Sequence, residues 1–230
     1  MQNSPILPWI ESPGWRHIPV DECGEALQVV PDNHPRLLAR PVYHQRKIPG
    51  APDCIRVRQG VLERLIRVSH ALPEPWGLLV HDGHRPLAVQ QALWDERHAE
   101  VQSLFPDGSQ ELWDHETARF VARPVSDPSA PPPHRSGGAV DVSLFNRDTG
   151  EIPDFGSPFD SATDASATRF FEETSAQPEA RRLRRILFHT MSAHGFTNYH
   201  AEWWHYDFGN QRWAHVAGHT QARYGLPGDE

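Results

Sequence analysis

The residues best suited to chemistry fall in two short stretches. His134-Arg135-Ser136-Gly137-Gly138-Ala139-Val140-Asp141 supplies an imidazole and a carboxylate, and Glu202-Trp203-Trp204-His205 adds a second carboxylate and a second imidazole. His134, His205 and Asp141 form a donor set that leaves a tetrahedral zinc one open position, the catalytic arrangement rather than the closed structural one. Glu202, three residues before the second His, is placed to work as a general base on a water at that position. His-x6-Asp alone is a weak signal in a chain with 15 histidines. Its context adds weight. His134 leads into a glycine turn, and Asp141 lies between valines on the strand that comes next, where an ionised carboxylate needs a cation. That cation can be a metal, or equally an Arg or Lys. Glu202 and His205 share a cleft only if the chain turns near Ala201–Trp203, because a straight strand puts residues three apart on opposite faces. Otherwise Glu202 is a surface residue.

Arg85 is the next residue with chemical potential. Gly77-Leu78-Leu79-Val80-His81 predicts a buried strand, Asp82-Gly83 a turn, and Pro86 the first turn of a helix carrying Leu87, Val89, Leu93 and Trp94. Arg85 thus sits at a strand-to-helix junction, a place that often faces a cleft. A guanidinium there can stabilise negative charge in a transition state, or it can be one half of a structural ion pair. Asp160, in the loop Phe155-Gly156-Ser157-Pro158-Phe159-Asp160, can receive a substrate ammonium; by itself it is a loop Asp. Trp203 and Trp204 are expected in the core or in a cavity wall. No GxSxG occurs, and Cys23 and Cys54 have no local partner for nucleophilic catalysis. His81, His84, His189, His194, His200 and His215 follow no usable pattern.

The remaining segments provide the scaffold. Residues 1–50 are proline-rich without a sustained period and predict an irregular N-terminal arm or short strands. Val61, Leu62, Leu65, Ile66 and Val68 form a helical stripe ending near Pro73. A helix is expected from Glu111 to Val121, and Pro124 to Pro133 is a stiff loop delivering the chain to His134. Val140, Val142 and Leu144 alternate with Asp141, Ser143 and Phe145, a strand with Asp141 opposite the valines. Leu183, Ile186, Leu187, Met191 and His194 form a helix after Pro178 that Gly195 closes. Trp203 to Phe208 predicts a short strand, and residues 225–230 a frayed tail.

Two hundred and thirty residues suffice for one full core, and the whole of 1–230 is expected as a single domain. A net charge of −8 without a basic run argues against nucleic acid and anionic membranes as main partners. Two cysteines give no disulfide framework. Neither a signal peptide nor a membrane span is read, so a cytoplasmic protein is expected. A homodimer is compatible with the sequence.

Three blocks in order resemble the D-alanyl-D-alanine dipeptidases of the VanX type: Asp82-Gly83-His84-Arg85-Pro86, the His-x-x-Gly-x-Ala-x-Asp stretch 134–141, and Glu202-Trp203-Trp204-His205. The likeness spans roughly residues 55–210 and includes the 155–160 loop. It implies His134, Asp141 and His205 as ligands of one zinc per chain, Glu202 as general base, Arg85 as transition-state stabiliser and Asp160 as a partner of the substrate's amino group. It also implies an α+β fold with an antiparallel sheet packed by helices around a zinc cleft, as in D,D-carboxypeptidases and the Hedgehog domain. Hydrolysis of a small dipeptide, D-Ala-D-Ala first, is the expected activity. The alternatives are the same chemistry on another small peptide or amino-acid conjugate, and a non-catalytic zinc-stabilised binding module. Three departures surround the substrate: Pro132 where the family usually has Ser, the order Arg135-Ser136, and a 43–54 region without the usual Asn-Phe block.

Overall fold

The computed structural model describes residues 4–9, 13–125, 127–174 and 176–228. In chain order the elements are β1 (Leu27–Val29), β2 (Leu37–Ala39), α1 (Val42–Gln45), β3 (Arg56–Arg58), α2 (Gln59–Ala71), β4 (Trp76–Asp82), α3 (Leu87–Leu104), α4 (Gln110–Ala118), β5 (Ala139–Asn146), α5 (Pro178–Ala193), β6 (Thr197–Asn198), β7 (His205–Asp207) and α6 (Gln211–Val216). The main sheet has the order β2-β4-β5-β7-β6, and β1 pairs with β3 in a separate two-stranded ribbon.

The α+β class is as expected. The sheet is antiparallel from β4 through β6, but β2 enters parallel to β4. The irregular arm therefore contributes an edge strand, which its short, proline-flanked run of leucines does not announce. β4 and β5 are central strands, and all seven residues of β4 are buried. A strand covered on both faces reads as a continuous apolar run, which is why Gly77–His81 is legible. The apolar stripes of α2 (Val61, Leu65, Val68) and α5 (Leu183, Ile186, Leu187, Met191) pack with Val140, Val142 and Leu144 of β5 into one core. This leaves the opposite face of β5, with Asp141, for the site.

Two local irregularities aim side chains. The β4–β5 register shifts between Val80 and Asp82, so that Val80 faces Val142 while Asp82 faces Asp141. Such a bulge puts an extra residue into one strand and re-aims the side chains beyond it. The second concerns the predicted strand from Trp203 to Phe208. Only His205–Asp207 is strand; Glu202, Trp203 and Trp204 belong to a turn in which the Glu202 amide donates to the Tyr199 carbonyl at 3.0 Å and the His205 amide to the Glu202 carbonyl at 3.3 Å. Asn198 closes this turn, donating to the carbonyls of Glu202 and His205 at 3.1 and 2.9 Å.

Buried guanidinium groups fasten the loops. Arg58, 1% exposed, pairs with Glu22 and donates to the carbonyls of Glu25, Ser136 and Gly225. It ties the arm and the C-terminal segment to the turn that carries His134. Gly225 is therefore anchored, its amide also donating to Glu22 at 2.6 Å, and the expected fraying does not begin there; residues 229–230 lie outside the described residues. Cys23 and Cys54 are free thiols. No helix among the described residues is long and apolar enough to cross a membrane. Arg184 of α5, 2% exposed, donates to the carbonyls of Phe155, Ala165 and Ala167 and to Ser157 Oγ, fixing the loop that carries Asp160. Replacing Arg184 with Leu leaves these acceptors buried without a donor, and should destabilise the protein by about 3 kcal/mol. The check is the urea midpoint at constant m-value; a wild-type midpoint would show that the loop holds itself.

Candidate active site

β5 and β7 run antiparallel with Asp141 directly opposite His205, so the two side chains emerge side by side on one face. His134 joins them from the 3-10 turn Pro133–Ser136, which ends at Gly137 with φ 70, a left-handed conformation that suits glycine. The three donor atoms converge. His134 Nε2 lies 3.2 Å from His205 Nδ1 and 3.4 Å from Asp141 Oδ1, and His205 Nδ1 lies 3.1 Å from the same oxygen. A tetrahedron with metal–nitrogen bonds of about 2.0–2.1 Å has edges of about 3.3 Å.

The outer partners decide which nitrogen is available. His134 Nδ1 lies 2.8 Å from the Gly83 carbonyl, which can only accept, so Nδ1 carries the proton and Nε2 is the lone-pair atom. His205 Nε2 lies 3.3 Å from Asp207 Oδ1, so Nε2 carries a proton and Nδ1 is the nitrogen left for a metal; burial opposes a second proton, but Asp207 and Asp141 outweigh it and raise the imidazole's pKa to about 9, so a metal at Nδ1 displaces that proton. Asp207 is held ionised by Arg212 at 2.7 Å and receives Asn210 at 2.7 Å. Burial opposes its charge, but Arg212 and His205 outweigh this and leave its carboxyl well below the usual range. One nitrogen of each imidazole and the buried Asp141 Oδ1 thus face one point. Such a set calls for a cation, and two neutral imidazoles with one carboxylate suit zinc. Among the described residues this is the one group of three metal-capable side chains so arranged.

Glu202 reaches the same place through its turn, with Oε2 3.8 Å from His205 Nδ1. Burial pushes its carboxyl up to about 7, with Asp141 adding to the rise and His205 opposing it. Arg85 is buried and immobilised. It donates to Asp82 at 2.9 Å, to Gln90 at 2.9 Å and to Tyr43 Oη at 3.3 Å, and its Nη2 is 3.5 Å from Asp141 Oδ2. Asp160 lines the same cavity of about 870 Å³, together with Arg85, His134, Asp141, Glu202 and His205. Its place within the cavity wall, short of bulk water although its side chain is a third exposed, pushes its carboxyl up to about 6 against the pull of Arg85 and Arg46. Trp204 is part of the cavity wall, while Trp203 stacks on Phe155 at 4.1 Å with its indole donating to Ser157.

All six residues singled out from the sequence therefore border one cavity. Sequence reasoning misses their outer partners. Asp207 lies two residues from His205 on the same strand face and is flanked by Tyr206 and Phe208. The reasoning applied to Asp141, that a carboxylate among apolar residues needs a cation, is the signal that could have found it. Asp82 reads from the sequence only as a turn residue; its pairing with Arg85 depends on the bulge. His81 proves to be a buried imidazole against Ser143 Oγ at 2.8 Å, stacked on Phe159 at 4.5 Å, and burial lowers its pKa to about 4.

The sequence model of the D-ala-D-ala dipeptidase family, Peptidase_M15, matches residues 15–222. The chain belongs to this family. It is 31% identical to a D-alanyl-D-alanine dipeptidase of Synechocystis sp. over 92% of this chain and 91% of that protein. It is 33% identical to a D-alanyl-D-alanine dipeptidase of Enterococcus faecium over 63% of this chain and 68% of that protein. Among solved structures it is similar to VanY, a vancomycin-resistance D,D-pentapeptidase in complex with Zn(II), with a TM-score of 0.45 and 16% identity over 73% of this chain and 82% of that one.

Purified protein of this family member should carry about one zinc per chain, and His134→Ala, Asp141→Ala and His205→Ala should each abolish stoichiometric binding. Asp207→Asn should retain the metal but weaken it by about tenfold to a hundredfold, since it only orients His205. Competition with a chromogenic chelator measures both effects, and full occupancy in the three ligand variants would refute the donor set.

Proposed function

We propose that the protein is a zinc-dependent dipeptidase acting on a small dipeptide, with D-Ala-D-Ala as the leading substrate. The observation that carries this reading is the turn at Tyr199–His205. It brings an acidic group with a raised pKa to the point where three potential metal-ligating atoms converge, which a purely structural metal site does not need. Zinc, when bound, supplies a Lewis acid that makes a water molecule a stronger acid and polarises the scissile carbonyl.

The chain's own residues do the rest. Glu202 takes a proton from the attacking water at Oε2 and hands it to the leaving amine, a double role for which a pKa near the working pH is suited. Arg85, locked by Asp82, Gln90 and Tyr43, presents fixed positive charge to the carbonyl oxygen as it becomes negative, with no reorganisation needed at that moment. Asp82 links the two halves of the machinery, since its Oδ2 lies 2.9 Å from Arg85 Nε and 3.3 Å from His134 Nδ1. Asp160 receives the substrate's ammonium. Pro132, buried where the family usually has Ser, contributes no hydroxyl, so Asp160 has less help in this task.

Glu202→Gln should fold, bind one zinc and lose roughly 10²–10⁴-fold in kcat on D-Ala-D-Ala. Free alanine released by zinc-loaded protein is the readout, and retained activity would remove Glu202 as the base. Arg85→Lys should recover only part of the roughly 10²–10³-fold loss in kcat expected of Arg85→Ala, because the ammonium lacks the planar fork. An N-acetylated dipeptide should be hydrolysed far more slowly than the free one. A preference for it would favour another small amide as substrate.

A further inference from the structure

Arg46, immediately after α1, lines the same cavity as the convergent His and Asp residues. One terminal nitrogen of its guanidinium donates to Asp160 Oδ2 at 2.8 Å and the other to Glu96 Oε2 of α3 at 2.6 Å. The Tyr43 ring lies beneath it at 5.6 Å. The side chains of Arg46 and Asp160 are 38% and 36% exposed, so the pair faces the open cavity rather than the core. Arg46 engages only one oxygen of Asp160, and a carboxylate accepts at both. Asp160 can therefore hold a substrate ammonium while Arg46 stays in place.

The charges in this corner can be counted. Within the linked trio, Asp160 and Glu96 contribute two negative charges and Arg46 one positive, leaving one negative charge, which a single ammonium neutralises; the neighbouring Arg97 and Glu100 of the cavity lining pair with each other at 2.8 Å and add no net charge. We propose that Arg46 is the specificity-determining residue of the ammonium subsite, excluding dipeptides whose first residue adds a basic side chain to its ammonium. The proposal rests on the dipeptidase reading above, in which Asp160 takes the substrate's amino group.

A basic side chain on the first residue would bring a second ammonium beside a guanidinium that has little freedom to leave. Arg46 cannot lose its proton, and swinging away would break two ion pairs at once. Like charges placed this close discriminate against a wrong ligand even when every attractive contact is kept. Bulk cannot do this work, because a cavity of about 870 Å³ has room for a lysine side chain. The other charged groups that bear on Asp160 (Arg85, Asp141 and Glu202) belong to the reaction centre. Arg46 alone is free of catalytic duty.

The test compares D-Ala-D-Ala with D-Lys-D-Ala on zinc-loaded wild type, Arg46→Gln and Arg46→Lys. Steady-state kinetics give kcat and KM, and calorimetry on the same proteins carrying Glu202→Gln gives Kd without turnover. Wild type should favour D-Ala-D-Ala by about tenfold or more in kcat/KM and in Kd, and Arg46→Gln should shrink that ratio about tenfold, chiefly through KM and Kd for D-Lys-D-Ala. Arg46→Lys, which keeps the charge, should retain the discrimination. Equal handling of the two dipeptides by wild type, or wild-type discrimination in Arg46→Gln, would overturn the proposal and leave the dipeptidase reading intact. If no form binds or cleaves either dipeptide, the dipeptidase reading fails and the subsite falls with it. Should Arg46→Gln prove unfolded by circular dichroism, Arg46→Met takes its place with the same expected ratio.

Discussion

Three potential metal-ligating atoms, His134 Nε2, His205 Nδ1 and Asp141 Oδ1, aimed at one point set the terms for the rest of this structure. His134 and His205 each give one N–H to an outer partner, the Gly83 carbonyl and Asp207, and turn the other ring nitrogen towards the charged oxygen of Asp141. In a buried place the charged oxygen needs a cation, which is either a metal or the proton that Asp207 and Asp141 hold on His205 against the opposing effect of burial. The surrounding fold can be understood as the framework that holds the three atoms together. β5 and β7 fix Asp141 and His205 as cross-strand neighbours, and Arg58 fastens the turn of His134 from behind. The Asp207–Arg212–Asn210 set keeps the His205 ring oriented.

Departures from regular structure supply the remaining groups. The β4 bulge turns Asp82 towards Asp141, and Asp82 in turn holds Arg85. Gly83, just beyond it, passes so close to the Arg56 carbonyl that a Cβ would come within 2.5 Å, and its own carbonyl orients His134. The turn before β7 delivers Glu202. In each case a strand stops being regular where a side chain must face the cavity, which is where bulges and turns are expected near active sites. The acid–base chemistry is then set by environment. Burial raises Glu202, whereas neighbouring positive charge keeps Asp207 ionised.

The charge pattern also divides the cavity. Arg85 is held by a carboxylate, an amide and a phenol, on the side where the proposed mechanism develops negative charge. Arg46 is shared between the carboxylates of Asp160 and Glu96, on the side to which the proposed substrate ammonium is assigned. In the proposed mechanism these two of the cavity's arginines do opposite work, one attracting charge as it develops and one limiting the charge that can be brought in.

The sequence by itself determined a good deal. Buried runs and helical stripes located β4, β5, α2, α3 and α5, because period and apolarity are local properties. The six residues His134, Asp141, His205, Glu202, Arg85 and Asp160 were legible because carboxylates and imidazoles set among apolar residues and glycine turns are conspicuous, and three ordered blocks carry a family likeness. The need for a turn at Glu202 came from the two-residue period of a strand. Only the tertiary structure decided the rest. That β2 runs parallel to β4, that a bulge sends Asp82 towards Asp141, that Arg58 joins residues from opposite ends of the chain, and that Arg46 stands between Asp160 and Glu96 all depend on contacts between segments far apart in sequence. Such pairings are chosen by the packing of the whole core and by the pairing of buried charge. Neither leaves a periodic trace in the residues that take part.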